Sequence, residues 1–214
     1  EIKKLYQGLG WPTLFVKIRF FTAPYRQLAS RVPSAGLIID LGCGYGLFSN
    51  LLAFLSPQRK VLGLELDESK IKYADRRIKN VSFRKENIAQ ADIPSADCIL
   101  LIHVLHHLNS YPEQEILIKI CYEKLKPGGQ LIICEVDRHP WWKFILAQIA
   151  DHLLYPGDRI YYRFPEKISS PYADPDGKIE VPDRKAHHLH HGTKPGNGAA
   201  GDRLLFKRAK IGKK

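Results

Sequence analysis

The chain reads as an α/β protein, a three-layer sandwich in which helices cover both faces of a mostly parallel, doubly wound sheet. Three observations predict this. Short runs rich in Val, Ile and Leu recur at 37–41, 61–66, 81–84, 97–103 and 129–136, and strands apolar on both faces belong to a sheet covered on both sides. Helical patterns near 46–56, 68–79 and 112–125 alternate with them, which is how parallel βαβ units are built. The first run ends in Asp40 and opens into Gly42, Gly44 and Gly46. A turn without Cβ atoms lets a ligand approach bare backbone at the start of a helix.

The elements follow in order. The second run, Val61 to Leu66, places Glu65 about 20 residues beyond the glycines, where open α/β sheets position a carboxylate for ribose hydroxyls. The third leads from Phe83 through Glu86 and Asn87 to Ile88. The fourth run, 97–103, follows Ala96, ends on His103 and leads through His106 and His107 to Leu108. Before the fifth stands Pro127-Gly128-Gly129, a turn by its chemistry that shapes the strand's entry. Ligands of such sheets bind outside the carboxyl ends of the strands, where all these features fall.

The glycine spacing separates two ligand classes. Dinucleotide folds use G-x-G-x-x-G, whereas this chain has D-x-G-x-G-x-G from Asp40 to Gly46. With Glu65, the Glu86-Asn87 pair, the V-L-H-H-L segment at 104–108 and the L-K-P-G-G turn at 125–129, the stretch from roughly 33 to 137 resembles the class I S-adenosylmethionine-dependent methyltransferases. The resemblance implies a seven-stranded sheet whose last strand is antiparallel, with S-adenosylmethionine as cofactor. Matched to the family's motifs, the cofactor-binding residues are Asp40, Gly42, Cys43, Gly44, Gly46, Glu65, Leu66, Asn87, Ile88, Ile102 and His103. The ribose is expected on Glu65, the amino-acid end near Asp40 and Gly42, and the adenine beside Leu66, Asn87 and Ile88. Asn87 departs from the acidic residue usual there, and it can still accept a hydrogen bond from an adenine amino group. A general base is needed only where the acceptor loses a proton during attack. The candidates are His103, His106, His107, Glu135 and His139, all near the ends of strands four and five. Each has an ordinary structural reading beside the catalytic one.

Domain organisation is read as a helical cap at 1–32, a core at 33–183 with an apolar insertion at 139–156, and a basic segment at 184–214 that holds one candidate last strand at 203–208 and a flexible tail. In the cap, Leu14, Phe15, Ile18 and Phe21 recur at helical spacing, and the segment from Trp141 to Tyr155 is richer still in large apolar groups. Two readings stand for this pair: an apolar lid over a small acceptor, or plain packing on the sheet. A third is an interfacial helix making peripheral membrane contact, since Trp and Phe beside Lys and Arg suit the headgroup boundary.

Charge bears on partners. The net +11 divides into +5 over 1–31, −2 over 32–183 and +8 over 184–214. A nearly neutral core disfavours nucleic-acid binding at the site and leaves a small molecule as the expected partner. An RNA or protein acceptor recruited by the basic tail, and a non-catalytic cofactor-binding subunit, are the alternatives. The cluster from His187 to His191 reads as opportunistic surface chemistry, so no metal site is expected. Four cysteines without a CxxC pair, and no signal pattern, fit free thiols in the cytoplasm. Oligomeric state has no signature in the chain. Finally, 214 residues with Glu first and no Met depart from ordinary composition. Omitted residues, with junctions in 1–30 or 166–214, are the expectation drawn from it.

Overall fold

The computed structural model describes residues 2–23, 25–136, 141, 144, 145, 148, 149, 161, 162 and 202–208, the last segment by backbone alone. A 3-10 turn at Ile2–Tyr6 leads into helices α1 (Trp11–Thr22) and α2 (Tyr25–Ala29). Then follow β1 (Gly36–Leu41), α3 (Leu47–Leu55), β2 (Arg59–Glu65), α4 (Glu68–Ala74), β3 (Val81–Lys85) and β4 (Ala96–Ile102). A 3-10 turn at Leu105–His107, α5 (Tyr111–Glu123), β5 (Leu125–Val136) and β6 (Asp202–Arg208) complete the order.

The described sheet has six strands in the order β3-β2-β1-β4-β5-β6. β1 to β5 are parallel, and β6 pairs antiparallel with β5. The chain starts at β1, steps outward to β2 and β3, and returns to the other side of β1 with β4. That reversal opens a crevice at the carboxyl ends of β1 and β4.

Alternate side chains divide the core into two layers. Ile38, Val61, Cys98, Leu100 and Ile132 pack with α3 and the cap residues Tyr6, Val16, Tyr25 and Leu28. Ile39, Leu64, Ile99, Leu101 and Ile133 pack on the opposite face with Leu117, Ile118 and Cys121 of α5. The period of two along each strand thus sorts one apolar run onto two buried faces. All four cysteines are free thiols.

Three elements differ from the sequence expectation. The helix expected over 68–79 stops at Ala74, because the Asp75 carboxylate accepts the Arg77 N–H at 2.8 Å and Arg77 takes a φ of 58°. Asn80 then ties the chain back, donating to carbonyls of Ala53, Ser56 and Arg59. β5 begins at Leu125 rather than 129, and the expected Pro-Gly-Gly turn lies within it. Its register with β4 shifts between Ala96 and Cys98, and Gly128 adopts a φ of 77°. In the cap, the stripe at helical spacing is divided: Phe15 is half-buried, Leu14 and Ile18 are exposed, and Val16, outside the stripe, is buried.

The cap is held by a buried charge that meets carbonyls alone in the contacts described. Arg59 donates from Nε to Pro33 O at 2.8 Å, from Nη1 to Leu52 O at 3.0 Å, and from Nη2 to Val32 O at 3.0 Å and Ala29 O at 3.4 Å. One planar fork thereby joins α2, the linker and α3 to the start of β2. Arg59→Ala is expected to lower unfolding free energy by about 3 kcal/mol, since several buried carbonyls lose their donor. Urea unfolding should show a lower midpoint with an unchanged slope, and an unchanged midpoint would remove this role for Arg59.

Candidate functional site

The crevice at the ends of β1 and β4 is a cavity of about 830 Å³, within the range of small-molecule sites. Its floor is the turn after β1. The Gly42 and Cys43 amides both donate to Leu64 O, at 2.8 and 3.0 Å, and the Gly44 amide donates to Glu65 Oε2 at 2.8 Å. Gly42, Gly44 and Gly46 take φ values of 70°, 55° and 66°, the left-handed region that side chains resist. Their roles differ. A Cβ on Gly44 would meet nothing within 4 Å, so that residue presents open backbone to the cavity. A Cβ on Gly46 would lie 2.7 Å from Ala74 Cβ and from the Phe83 ring, so Gly46 serves close packing where α3 begins.

Glu65 closes one side. Oε1 accepts the Asp67 amide at 3.0 Å while Oε2 holds Gly44. A carboxylate offers about four lone-pair sites, so each oxygen can accept one more hydrogen bond in the cavity that Glu65 lines. Asp40, at the end of β1, is nearly fully buried and accepts the Ser49 hydroxyl at 2.5 Å. Burial pushes its carboxyl up to about 7 despite that bond, and the nearby Glu65 charge adds to the rise. Burial likewise raises the Cys43 thiol, with Asp40 and Glu65 reinforcing it. Asn87 lines the cavity, but its Oδ1 already accepts the Ala89 amide at 3.1 Å.

The far wall comes from the loop after β4. His103 enters it with a φ of 54° and donates its amide to Cys134 O at 2.8 Å. Glu135, buried at the end of β5, takes the Val104 and Leu105 amides on Oε1 at 3.0 and 2.9 Å and His106 Nδ1 on Oε2 at 2.5 Å. Burial alone would raise Glu135, but the His106 charge and hydrogen bond outweigh it and hold the carboxyl below its usual range. Glu135 and His106 therefore fix the loop from beneath, while His103 and His107 line the cavity. The loop also holds a distant segment: the Tyr161 amide donates to His106 O, Gln114 Nε2 donates to Tyr161 O, and the Tyr162 ring stacks on His106.

Asp40, Gly42, Cys43, Gly44, Glu65, Leu66, Asn87, Ile88, Ile102 and His103 all line this one cavity; Gly46 and His106 do not. His139 and the cluster from His187 to His191 fall outside the described residues. Among the described residues, no group of His, Cys, Asp and Glu is arranged to hold a metal. Among the lining residues that the motifs do not mark are Phe15, Arg19, Tyr25, Lys70, Asn109 and Tyr161. The apolar cap pattern pointed toward the first of these; Tyr161 carries no local signal, because only the tertiary contact with His106 brings it in.

Comparison with known proteins agrees with this geometry. The methyltransferase-domain family model matches residues 34–170. The chain is 35% identical over 114 residues to a trans-aconitate 2-methyltransferase of Variovorax paradoxus, covering 52% of this chain and 44% of that protein. It is 30% identical over 126 residues to a ubiquinone biosynthesis O-methyltransferase of Idiomarina loihiensis, covering 55% and 49%. The chain spans about half the length of the curated relatives it matches. Among solved structures, a SAM-dependent methyltransferase of Thermotoga maritima superposes with a TM-score of 0.64 at 18% identity, over 92% of this chain and 94% of that one, a likeness of fold. The motifs, the parallel sheet with its crevice at the β1–β4 reversal, and the family match lead to one conclusion: the chain belongs to the class I S-adenosylmethionine-dependent methyltransferase family.

Proposed function

We propose that this chain transfers a methyl group from S-adenosylmethionine to a small, apolar or lipid-like acceptor. The observation that carries the reading is Glu65, whose oxygens each hold one backbone amide and keep capacity for the vicinal hydroxyls of a ribose. Its neighbours fit the same ligand. The absence of a side chain at Gly44 lets the amino-acid end approach the turn closely, and buried Asp40 offers a carboxylate to a cation. Leu66 and Ile88 give an adenine apolar walls, and Asn87 keeps its amide N–H groups for the rim. Ile102, His103 and Cys43 complete the lining, while Gly46 supports it from behind.

When bound, the cofactor supplies a methyl group already activated by its sulfonium. The protein's own residues then have three tasks: to align the acceptor, to exclude water, and to accept a proton where the acceptor has one to lose. Phe15, Tyr25 and Tyr161 supply aromatic walls, which supports an acceptor of apolar body. His103 and His107 are the candidate bases within the cavity. A cytoplasmic location is supported by the four free thiols, and a seven-stranded sheet would require one strand beyond the six described. The domain reading of cap, core and tail stands as part of the proposal. An RNA or protein acceptor would depend on the basic segment at 184–214, of which only the backbone of 202–208 is described.

Two outcomes are expected. Glu65→Ala should weaken S-adenosylmethionine binding by about 1.5 to 3 kcal/mol, the worth of hydrogen bonds to a charged acceptor, in isothermal calorimetry. Unchanged affinity removes the ribose assignment; a melting curve of the variant shows how far the loss of the Gly44 and Asp67 contacts contributes. The second outcome concerns pH. With its carboxyl at about 7 in the free protein, Asp40 must lose a proton to meet a cationic ligand. Affinity should level off from about one unit above that value and approach a tenfold fall per unit from about one unit below it, with proton release on binding. Asp40→Asn should abolish that slope, and a slope retained in Asp40→Asn assigns the titration elsewhere.

A further inference from the structure

We propose that the outer face of α1 docks on the surface of an anionic lipid bilayer, beside the cavity mouth, so that an apolar acceptor enters the site from lipid. This rests on the reading of an apolar acceptor given above. Trp11, Leu14 and Ile18 expose 51%, 49% and 48% of their surface. At about 100° per residue they fall within about 60° of the helix circumference, so they form one continuous apolar strip rather than scattered contacts. Val16, on the opposite side, is the residue buried in the core. Next to the strip on one side come Phe15 and Arg19, which line the cavity, and on the other the exposed Lys17. The strip therefore adjoins the entrance to the site.

Charge identifies the occupant. Residues 2–31 carry six Lys and Arg and no acidic residue, and Lys3, Lys4, Lys17, Arg26 and Arg31 are exposed. An apolar strip with Lys17 on one side and Arg19 on the other, in a segment without acidic residues, suits the boundary between anionic headgroups and acyl chains, where Trp also sits well. A second copy of this face would bring like charges together, and a nucleic acid would leave Leu14 and Ile18 without apolar partners. No helix among the described residues is long and apolar enough to cross a membrane, and α1, twelve residues long, can only lie in the interface. A separate row reinforces the assignment. Trp141, Ile145 and Ile149, four residues apart in helical conformation, are also exposed. Phe144, between them in sequence, packs against Tyr162, whose neighbour Tyr161 lines the cavity.

The test is co-sedimentation of the full 214-residue chain with vesicles of phosphatidylcholine alone and of phosphatidylcholine mixed with phosphatidylglycerol. Binding is expected to the mixed vesicles, to weaken with salt, and to fall about tenfold in Leu14→Gln/Ile18→Gln with the melting temperature maintained. Lys17→Glu, an exposed change with no packing role, should weaken it by about threefold and serves if the double variant fails to fold. The proposal is overturned if mixed vesicles do not bind the chain, if both variants bind as the parent does, if single-stranded RNA displaces the vesicles, or if the variants act only by dissociating a dimer. Calorimetry with S-adenosylmethionine and no vesicles separates the two readings. Lost cofactor binding with intact vesicle binding defeats the methyltransferase assignment, and the converse defeats the docking surface.

Discussion

The turn after β1 can hold its shape only because β2 supplies its acceptors. Three successive amides, from Gly42, Cys43 and Gly44, have no strand partner once β1 ends, and a buried N–H left alone is costly. Leu64 O takes two of them and the Glu65 carboxylate takes the third. With these bonds made, the three glycines settle into left-handed geometry, Asp40 is enclosed, and α3 starts at Leu47 close against Ala74 and Phe83. The cavity is the space left over this turn. Its position depends on a contact between residues more than twenty apart in sequence, made possible by the parallel pairing of β1 with β2.

The N-terminal cap is joined to the same turn by polar contacts inside an apolar layer. Tyr6, fully buried, donates its hydroxyl to Tyr45 O at 2.9 Å and accepts from Asn50 Nδ2 at 2.8 Å. Burial raises the Tyr6 phenol above its usual range, so it remains a neutral donor. Phe15 meets the Tyr45 ring at 5.0 Å between centroids, and Tyr25 stacks on Phe48 at 5.2 Å. The cap thus forms part of the wall rather than lying over a finished domain. A perturbation of α1 or of the Arg59 clamp would reach the cavity through Tyr6 and Tyr45, since the cap and the floor share one hydrogen-bonded group.

The floor and the far wall of the cavity balance their charges differently. The floor of the cavity gathers Asp40, Glu65 and Asp67, and burial keeps Asp40 near the point of neutralisation. The far wall contains an internal ion pair, Glu135 with His106, in which carboxylate, imidazole and two loop amides satisfy one another. That pair needs no ligand to be stable; the acidic floor is the part of the site whose electrostatics an incoming cation would relieve.

The sequence by itself determined the parts governed by short-range chemistry. The run from Leu37 to Asp40, the alternate glycines and Glu65 specify a strand, a turn without side chains and a second strand end, because apolar alternation and positive φ are local constraints. Those residues were legible, as were the V-L-H-H-L loop and its neighbours Ile102 and His103. Tertiary structure decided which of them face the cavity. His106 and His107 are adjacent in sequence, yet one pairs with Glu135 in the core and the other lines the site, since only packing of β5 beside β4 brings a carboxylate beneath the loop. Leu14 and Phe15 divide in the same way, one exposed and one against the cavity, because the rotation of α1 is set by Val16 and Tyr6 entering the core. Residue type and spacing carry information about the backbone's local path; the direction of each side chain depends on partners far away in the chain, which no local pattern encodes.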